Sequence, residues 1–96
     1  MPGAYWIAHV TVTDPVAYGE YAKGAGPAFE KYGGKFLARG AAYKQLEGKD
    51  RERNVIALFP SLQAAQDCYN SPEYQAALKH AEGAAERDLV IVEAME

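Results

Sequence analysis

The ten residues from Lys31 to Gly40, K-Y-G-G-K-F-L-A-R-G, restrict the chain more than any other stretch. Apolar residues at helical spacing run up to Tyr32 and stop there. Gly33 and Gly34 supply a helix end, because glycine reaches positive φ without a Cβ clash. Phe36, Leu37 and Ala38 then begin a strand, and Arg39-Gly40 places a guanidinium inside it. An arginine in a strand must be solvated, paired or holding an anion.

Upstream, Tyr5 to Thr13 reads as a strand of β-branched and aromatic residues. One face carries Trp6, Ala8, Val10 and Val12 and is expected to pack on helices. The other carries Tyr5, Ile7, His9 and Thr11, and faces solvent or a partly polar cavity. Asp14-Pro15 starts a helix, with Asp14 as N-cap and Pro15 at the first helical position. Its apolar stripe is Tyr18, Tyr21, Ala22, Ala25, Ala28, Phe29 and Tyr32. Gly24-Ala25-Gly26-Pro27 predicts a kink or two short helices in series.

Downstream, a second strand is expected over Lys35 to Glu47, with Gly40 marking a bulge or close approach. Gly48-Lys49-Asp50 predicts a turn into a third strand, Glu52 to Phe59, apolar on both faces and so central. Ser61 caps a helix with Leu62, Ala65 and Tyr69 on its buried stripe. Ser71-Pro72-Glu73 restarts it, and Tyr74, Ala77, Leu78 and Ala81 continue the spacing. Gly83 loosens its end, and Leu89 to Glu93 is the last strand.

The order β-α-β-β-α-β with right-handed crossovers gives a four-stranded antiparallel sheet with helices on one face, a ferredoxin-like α+β domain over residues 1–96. The other face is left bare. With Ile7, Ile56 or Leu58, and Ile91 on it, it is too apolar for water, and a second copy packing sheet to sheet is expected to cover it. At 96 residues the chain buries only about two-thirds of its unfolded surface, so a dimer also helps stability. A net charge of -3, well mixed, argues against a nucleic-acid partner. One cysteine, Cys68, excludes an intrachain disulfide and fits a reducing compartment. No signal peptide and no membrane span are expected, so the protein reads as cytoplasmic.

The opening Y-W-I-A-H-V-T-V-T-D-P, the tyrosines of V-A-Y-G-E-Y, the turn G-G-K-F-L-A-R-G, F-P-S-L-Q-A-A and Y-N-S-P-E-Y-Q, in this order, resemble the family called domain of unknown function thirteen-thirty. The resemblance covers nearly the whole chain. It implies a dimeric α/β barrel, in which two ferredoxin-like subunits join their sheets and each half encloses a cavity. Relatives by fold include small monooxygenases that use neither metal nor organic cofactor, stress-induced barrel proteins and haem-binding branches. The family pattern often has an arginine shortly after Y-Q-A-A. Here that region reads Leu78-Lys79-His80-Ala81, so Lys79 or His80 would have to replace it.

His9, expected to look into the barrel, is the candidate general base, against a neutral histidine bonded at the interface. Arg39 is the candidate anion anchor, against an ion pair with Glu47, Glu93 or a partner subunit. Asp14 is chiefly an N-cap at the mouth of the cavity. Tyr18 and Tyr21 are core residues whose hydroxyls are expected at its rim, where they would bind a planar ligand. No metal site or cofactor motif is present, only His9 or His80 would ligate a haem, and Ser61 and Ser71 are better explained as caps. The expectation is a homodimer with a small-molecule cavity. If it is an enzyme, it performs proton transfer or cofactor-independent oxidation of a small organic anion or aromatic, with His9 moving the proton. The alternatives are a ligand-binding or stress-related dimer without turnover, and polar groups that merely pair across the interface.

Overall fold

A computed structural model describes residues 2–96. Strand β1 (Ala4–Val12) leads into helix α1 (Pro15–Lys31). Strands β2 (Lys35–Arg39) and β3 (Arg53–Phe59) follow, then helices α2 (Leu62–Asn70) and α3 (Pro72–Leu78), a 3-10 turn (Lys79–Ala81) and strand β4 (Ala85–Glu93). The sheet order is β2-β3-β1-β4, with every neighbouring pair antiparallel. This is the ferredoxin-like α+β arrangement expected from the sequence, with β3 central.

The helix starts form where the sequence writes them. Asp14 accepts a hydrogen bond from Ala17 N at 3.2 Å, ahead of Pro15. Ser71 is buried, accepts from Tyr74 N at 3.0 Å and donates to the Cys68 carbonyl at 2.7 Å, so one hydroxyl ends α2 and caps α3. α1 ends as predicted. Gly33 lies at φ 81°, and Gly34 N donates back to the Phe29 carbonyl at 2.7 Å.

Four expectations need correction. α1 does not divide at Gly24 to Pro27 but runs as one helix through Pro27. Gly24 is a packing residue there: a Cβ on it would lie 2.8 Å from the Ala77 Cβ of α3. The burial of Ala25, Ala28 and Phe29 around Pro27 outweighs the one backbone bond that proline removes. Second, β2 ends at Arg39 rather than Glu47. Gly40 turns the chain at φ 71°, and the connection to β3 is an exposed loop over residues 40–52. Third, Leu62 is 39% exposed; Ala65 is buried and Tyr69 packs on the core as expected, with Cys68 in place of Leu62 on the buried side of α2. Fourth, β4 begins at Ala85, four residues earlier than the apolar run Leu89 to Val92 suggested. Its Ile91 pairs with Trp6 and faces the helices, so Val90 and Val92 take its place on the bare face.

The core lies between the sheet and the helices. Trp6 is 1% exposed, with Phe29, Phe59, Tyr69 and Tyr74 rings at 4.6 to 5.9 Å from its own. On the opposite side of the sheet, Tyr5, Ile7, His9, Ile56, Leu58, Val90 and Val92 have no helix above them.

Candidate functional site

Three arginines line one cleft between α1 and the helix-facing side of the sheet. Arg39 reaches it through a bulge. Phe36 pairs with Ala57 but Ala38 pairs with Ile56, so Leu37 is an extra residue. The insertion reverses the alternation. Arg39 therefore pairs with Val55 on the helix-facing side instead of sharing the bare face with Lys35. Arg53 and Arg87 both pair with Val10, one from each neighbouring strand, and so flank that buried residue on the same side.

Each guanidinium lies over an aromatic ring: Arg39 over Phe36 at 4.1 Å, Arg53 over Tyr18 at 5.8 Å and Arg87 over Tyr21 at 4.7 Å. Among the described residues none of the three is within ion-pair distance of a carboxylate; the ion pairs are Lys23–Glu20, Lys31–Glu73, Lys49–Glu86 and Arg51–Asp88. The Nε atoms of Arg53 and Arg87 are buried without a hydrogen-bond partner. A buried donor left unpaired costs about 1–3 kcal/mol.

Arg87 Nη2 donates to the Tyr21 hydroxyl at 2.9 Å and the Tyr74 hydroxyl at 3.1 Å, and the two hydroxyls bond each other at 2.8 Å. Burial pushes both phenols above their ordinary range, Tyr21 furthest. Both hydroxyls are therefore neutral at pH 7, and the Arg87 charge has no counter-ion. Burial opposes the Arg87 cation, but the Tyr21 and Tyr74 oxygens favour it and its net shift is upward, so it stays charged.

The inner space, about 360 Å³ with its open mouth, has a free cavity of only about 20 Å³. That is room for a water or a group of similar size. It adjoins an outer groove with a free cavity of about 410 Å³ that shares Tyr18, Ala22 and Arg53 with it.

The raised Tyr21 pKa has a measurable consequence. In the unfolded chain this phenol ionises near 10.0, whereas in the folded protein it holds its proton well beyond that. Its contribution is complete below pH 10 and is lost as pH rises above it, because the unfolded state then releases a proton the folded state keeps. The slope is about 1.4 kcal/mol per pH unit for each such group. Tyr74 and Cys68 act in the same direction. Urea midpoints at pH 9, 10 and 11 are expected to fall steadily, and Tyr21→Phe to flatten the fall; parallel slopes for both proteins would contradict the Tyr21 assignment.

Of the residues singled out in the sequence, Arg39, Tyr18 and Tyr21 are brought together here. Asp14 is exposed at the start of α1 and is not among the lining residues. His9 lies on the bare face, where Nδ1 meets Asn54 Oδ1 at 2.7 Å, so it looks away from the cleft and from Arg39. Lys79 and His80 are exposed and line neither space. Arg53 and Arg87 were missed, although strand parity carries the signal: Arg53 shares a face with Val55 and Ala57, and Arg87 with Leu89 and Ile91. Among the described residues no cluster of three His, Cys, Asp or Glu side chains suits a metal ion. Among the described residues, too, no helix is long and apolar enough to cross a membrane.

A family model described as "Domain of unknown function (DUF1330)" matches residues 3–95. No curated protein matches the sequence. Among solved structures, a protein of unknown function from Rhodopseudomonas palustris is 24% identical with a TM-score of 0.81, covering 99% of this chain and 84% of that one. SnoaB of Streptomyces nogalater, described as a cofactor-independent oxygenase, is 12% identical with a TM-score of 0.66, covering 100% and 96%. A dimeric ferredoxin-like protein of unknown function from Bacteroides fragilis is 16% identical with a TM-score of 0.65, covering 96% of each chain. At these identities the likeness is one of fold, and it is the fold of the dimeric ferredoxin-like proteins.

Proposed function

The chain belongs to the DUF1330 family, and we propose that it works as a homodimer binding a small organic anion in the cleft between α1 and the sheet. One observation carries this reading: Arg39, Arg53 and Arg87 line the cleft and none has a carboxylate partner. Like charges gathered in a partly buried space repel, and an anion relieves the repulsion while accepting from their N–H groups. Aromatic walls from Trp6, Phe29 and Phe36 add apolar area for an organic body. The dimer is supported by the apolar side chains on the bare face and by the dimeric state of the Bacteroides fragilis protein.

The likeness to SnoaB favours a second reading, in which the bound anion is oxidised without a cofactor. In that reading the arginines stabilise an enolate-like charge. His9 is badly placed as its base within one chain, because it lies across the sheet, so the binding reading leads. As for His9 itself, its bond to Asn54 suits the polar pairing of an interface residue.

A thermal-shift series with small carboxylates, phenols and uncharged analogues tests the site. The carboxylates are expected to raise the melting temperature by several degrees at saturating concentration, since a ligand at about 100 times its Kd adds about 2.7 kcal/mol. No shift from any anion would remove the proposal. Light scattering at micromolar concentration is expected to give twice the 10.5 kDa chain mass.

A further inference from the structure

The two joined spaces differ in size and in charge, and the difference specifies a ligand. The inner space offers donors and no acidic group: Arg53, Arg87 and Tyr21. Of the two phenolic protons, one is used between Tyr21 and Tyr74, because both oxygens already accept from Arg87. Either hydroxyl can donate in that bond; when Tyr74 does, the Tyr21 O–H, which lines the space, is free to donate inward. Together with the guanidinium groups of Arg53 and Arg87 on its walls, this makes a pocket that rewards acceptors. Its free room holds a group of about a water's size, such as an oxygen of a carboxylate end, and not a ring.

The outer groove is wider. Its helix side is Pro15, Tyr18, Gly19 and Ala22, and its strand side includes Val12 and Arg53. Gly19 has nothing within 4 Å of a built Cβ, so this side is open. The groove also holds one acid, Glu52. Its Oε1 accepts from Val12 N at 2.8 Å, which fixes the carboxylate at the groove wall. That hydrogen bond holds its carboxyl below the usual range, so Glu52 is anionic at neutral pH.

We infer that the site selects a monocarboxylic acid with an uncharged apolar body: the carboxylate enters the inner space at Arg53, Arg87 and Tyr21, the body lies in the outer groove, and Glu52 rejects a second negative charge. This rests on the anion-binding reading above and adds orientation and selectivity to it. Glu52 acts by repulsion, a common way for a site to separate ligands that share a head group.

Calorimetry with acetate, phenylacetate, phenylacetamide and 1,4-phenylenediacetate tests it on the full chain. Phenylacetate is expected to bind at least tenfold tighter than acetate, the amide or the dianion. Glu52→Gln, which keeps the acceptor for Val12 N, is expected to narrow the gap between monoanion and dianion severalfold. Gly19→Leu fills the open groove and suits a helix better than glycine, so folding is not at risk. It is expected to weaken phenylacetate about tenfold and leave acetate unchanged. If acetate and phenylacetate bind alike and Gly19→Leu affects neither, the cleft still binds anions but the orientation is wrong. If Glu52→Gln leaves the preference for the monoanion intact, Glu52 is not the selector. If no carboxylate binds, both this inference and the anion reading fall.

Discussion

Arg87→Met is expected to weaken carboxylate binding about 100-fold while leaving the unliganded protein close to its parent stability. The affinity loss follows from charge-assisted bonds in a partly buried site: removing one such partner costs about 2–5 kcal/mol. The small stability change follows from what Arg87 lacks. Its Nε is buried without an acceptor, and no carboxylate balances its charge. A methionine of similar length keeps the packing against Tyr21 and removes the uncompensated cation. The Tyr21–Tyr74 bond survives, although each oxygen loses one incoming donor. Calorimetry and urea unfolding of the same sample separate the two effects. A structural role for Arg87 predicts the reverse pattern, with a loss of several kcal/mol in stability and unchanged affinity in whatever still folds. Arg87→Lys serves as a control. It keeps the charge but not the fork that reaches both hydroxyls, and is expected to recover only part of the affinity.

How far the sequence revealed this site depended on where backbone irregularities fell. The helix starts at Asp14-Pro15 and Ser71-Pro72 and the stop at Gly33-Gly34 are local chemistry, and each formed as read. The strand order followed from handedness rules that need only the element order. The orientation of Arg39 was not legible, because a bulge was expected at Gly40 whereas the extra residue is Leu37, and nothing in F-L-A-R places it there. Arg87 was hidden for a different reason. Glu86, Arg87 and Asp88 look like the polar end of a helix, yet they pair with Thr11, Val10 and His9 as the first part of β4. Tertiary pairing overrode local composition there.

The parity of His9 was read correctly: it shares a face with Tyr5, Ile7 and Thr11. That face was expected to meet solvent or a partly polar cavity, and the arginine-lined cleft is not on it. Small residues open the cleft on the other side, where Ala8 of the sheet and Ala22 and Ala25 of α1 leave space that larger side chains would fill. The uniformly apolar face of β1 packs on helices, as expected. Alanines at matched heights on two facing elements allow packing and a cleft together.

Trp6→Ala is expected to cost about 3–5 kcal/mol of stability, the ordinary range for deleting a fully buried aromatic residue. Trp6 is 1% exposed and lies in the middle of the aromatic cluster, edge-on to Phe29 at 4.6 Å and to Tyr74 at 5.1 Å. These partners come from α1 and α3, and Phe59 and Tyr69 come from β3 and α2, so one side chain joins all three helices to the sheet. A chain of this size has only about 5–15 kcal/mol in total, so the substitution removes a large share of it. Trp6 also forms part of the cleft wall, which makes the alanine variant ambiguous for binding. Trp6→Phe resolves that ambiguity. It keeps an aromatic wall, is expected to lose roughly half as much stability, and is expected to bind carboxylates within a few-fold of the parent because it leaves Arg53, Arg87 and Tyr21 in place. Urea midpoints for the three proteins, with anion affinity for those that fold, give the comparison. A cost below about 1 kcal/mol for Trp6→Ala would mean the cluster relaxes into the gap, contrary to close packing of the core. A stable Trp6→Phe protein that has lost carboxylate binding would move the ligand from the arginine end of the cleft to its aromatic wall.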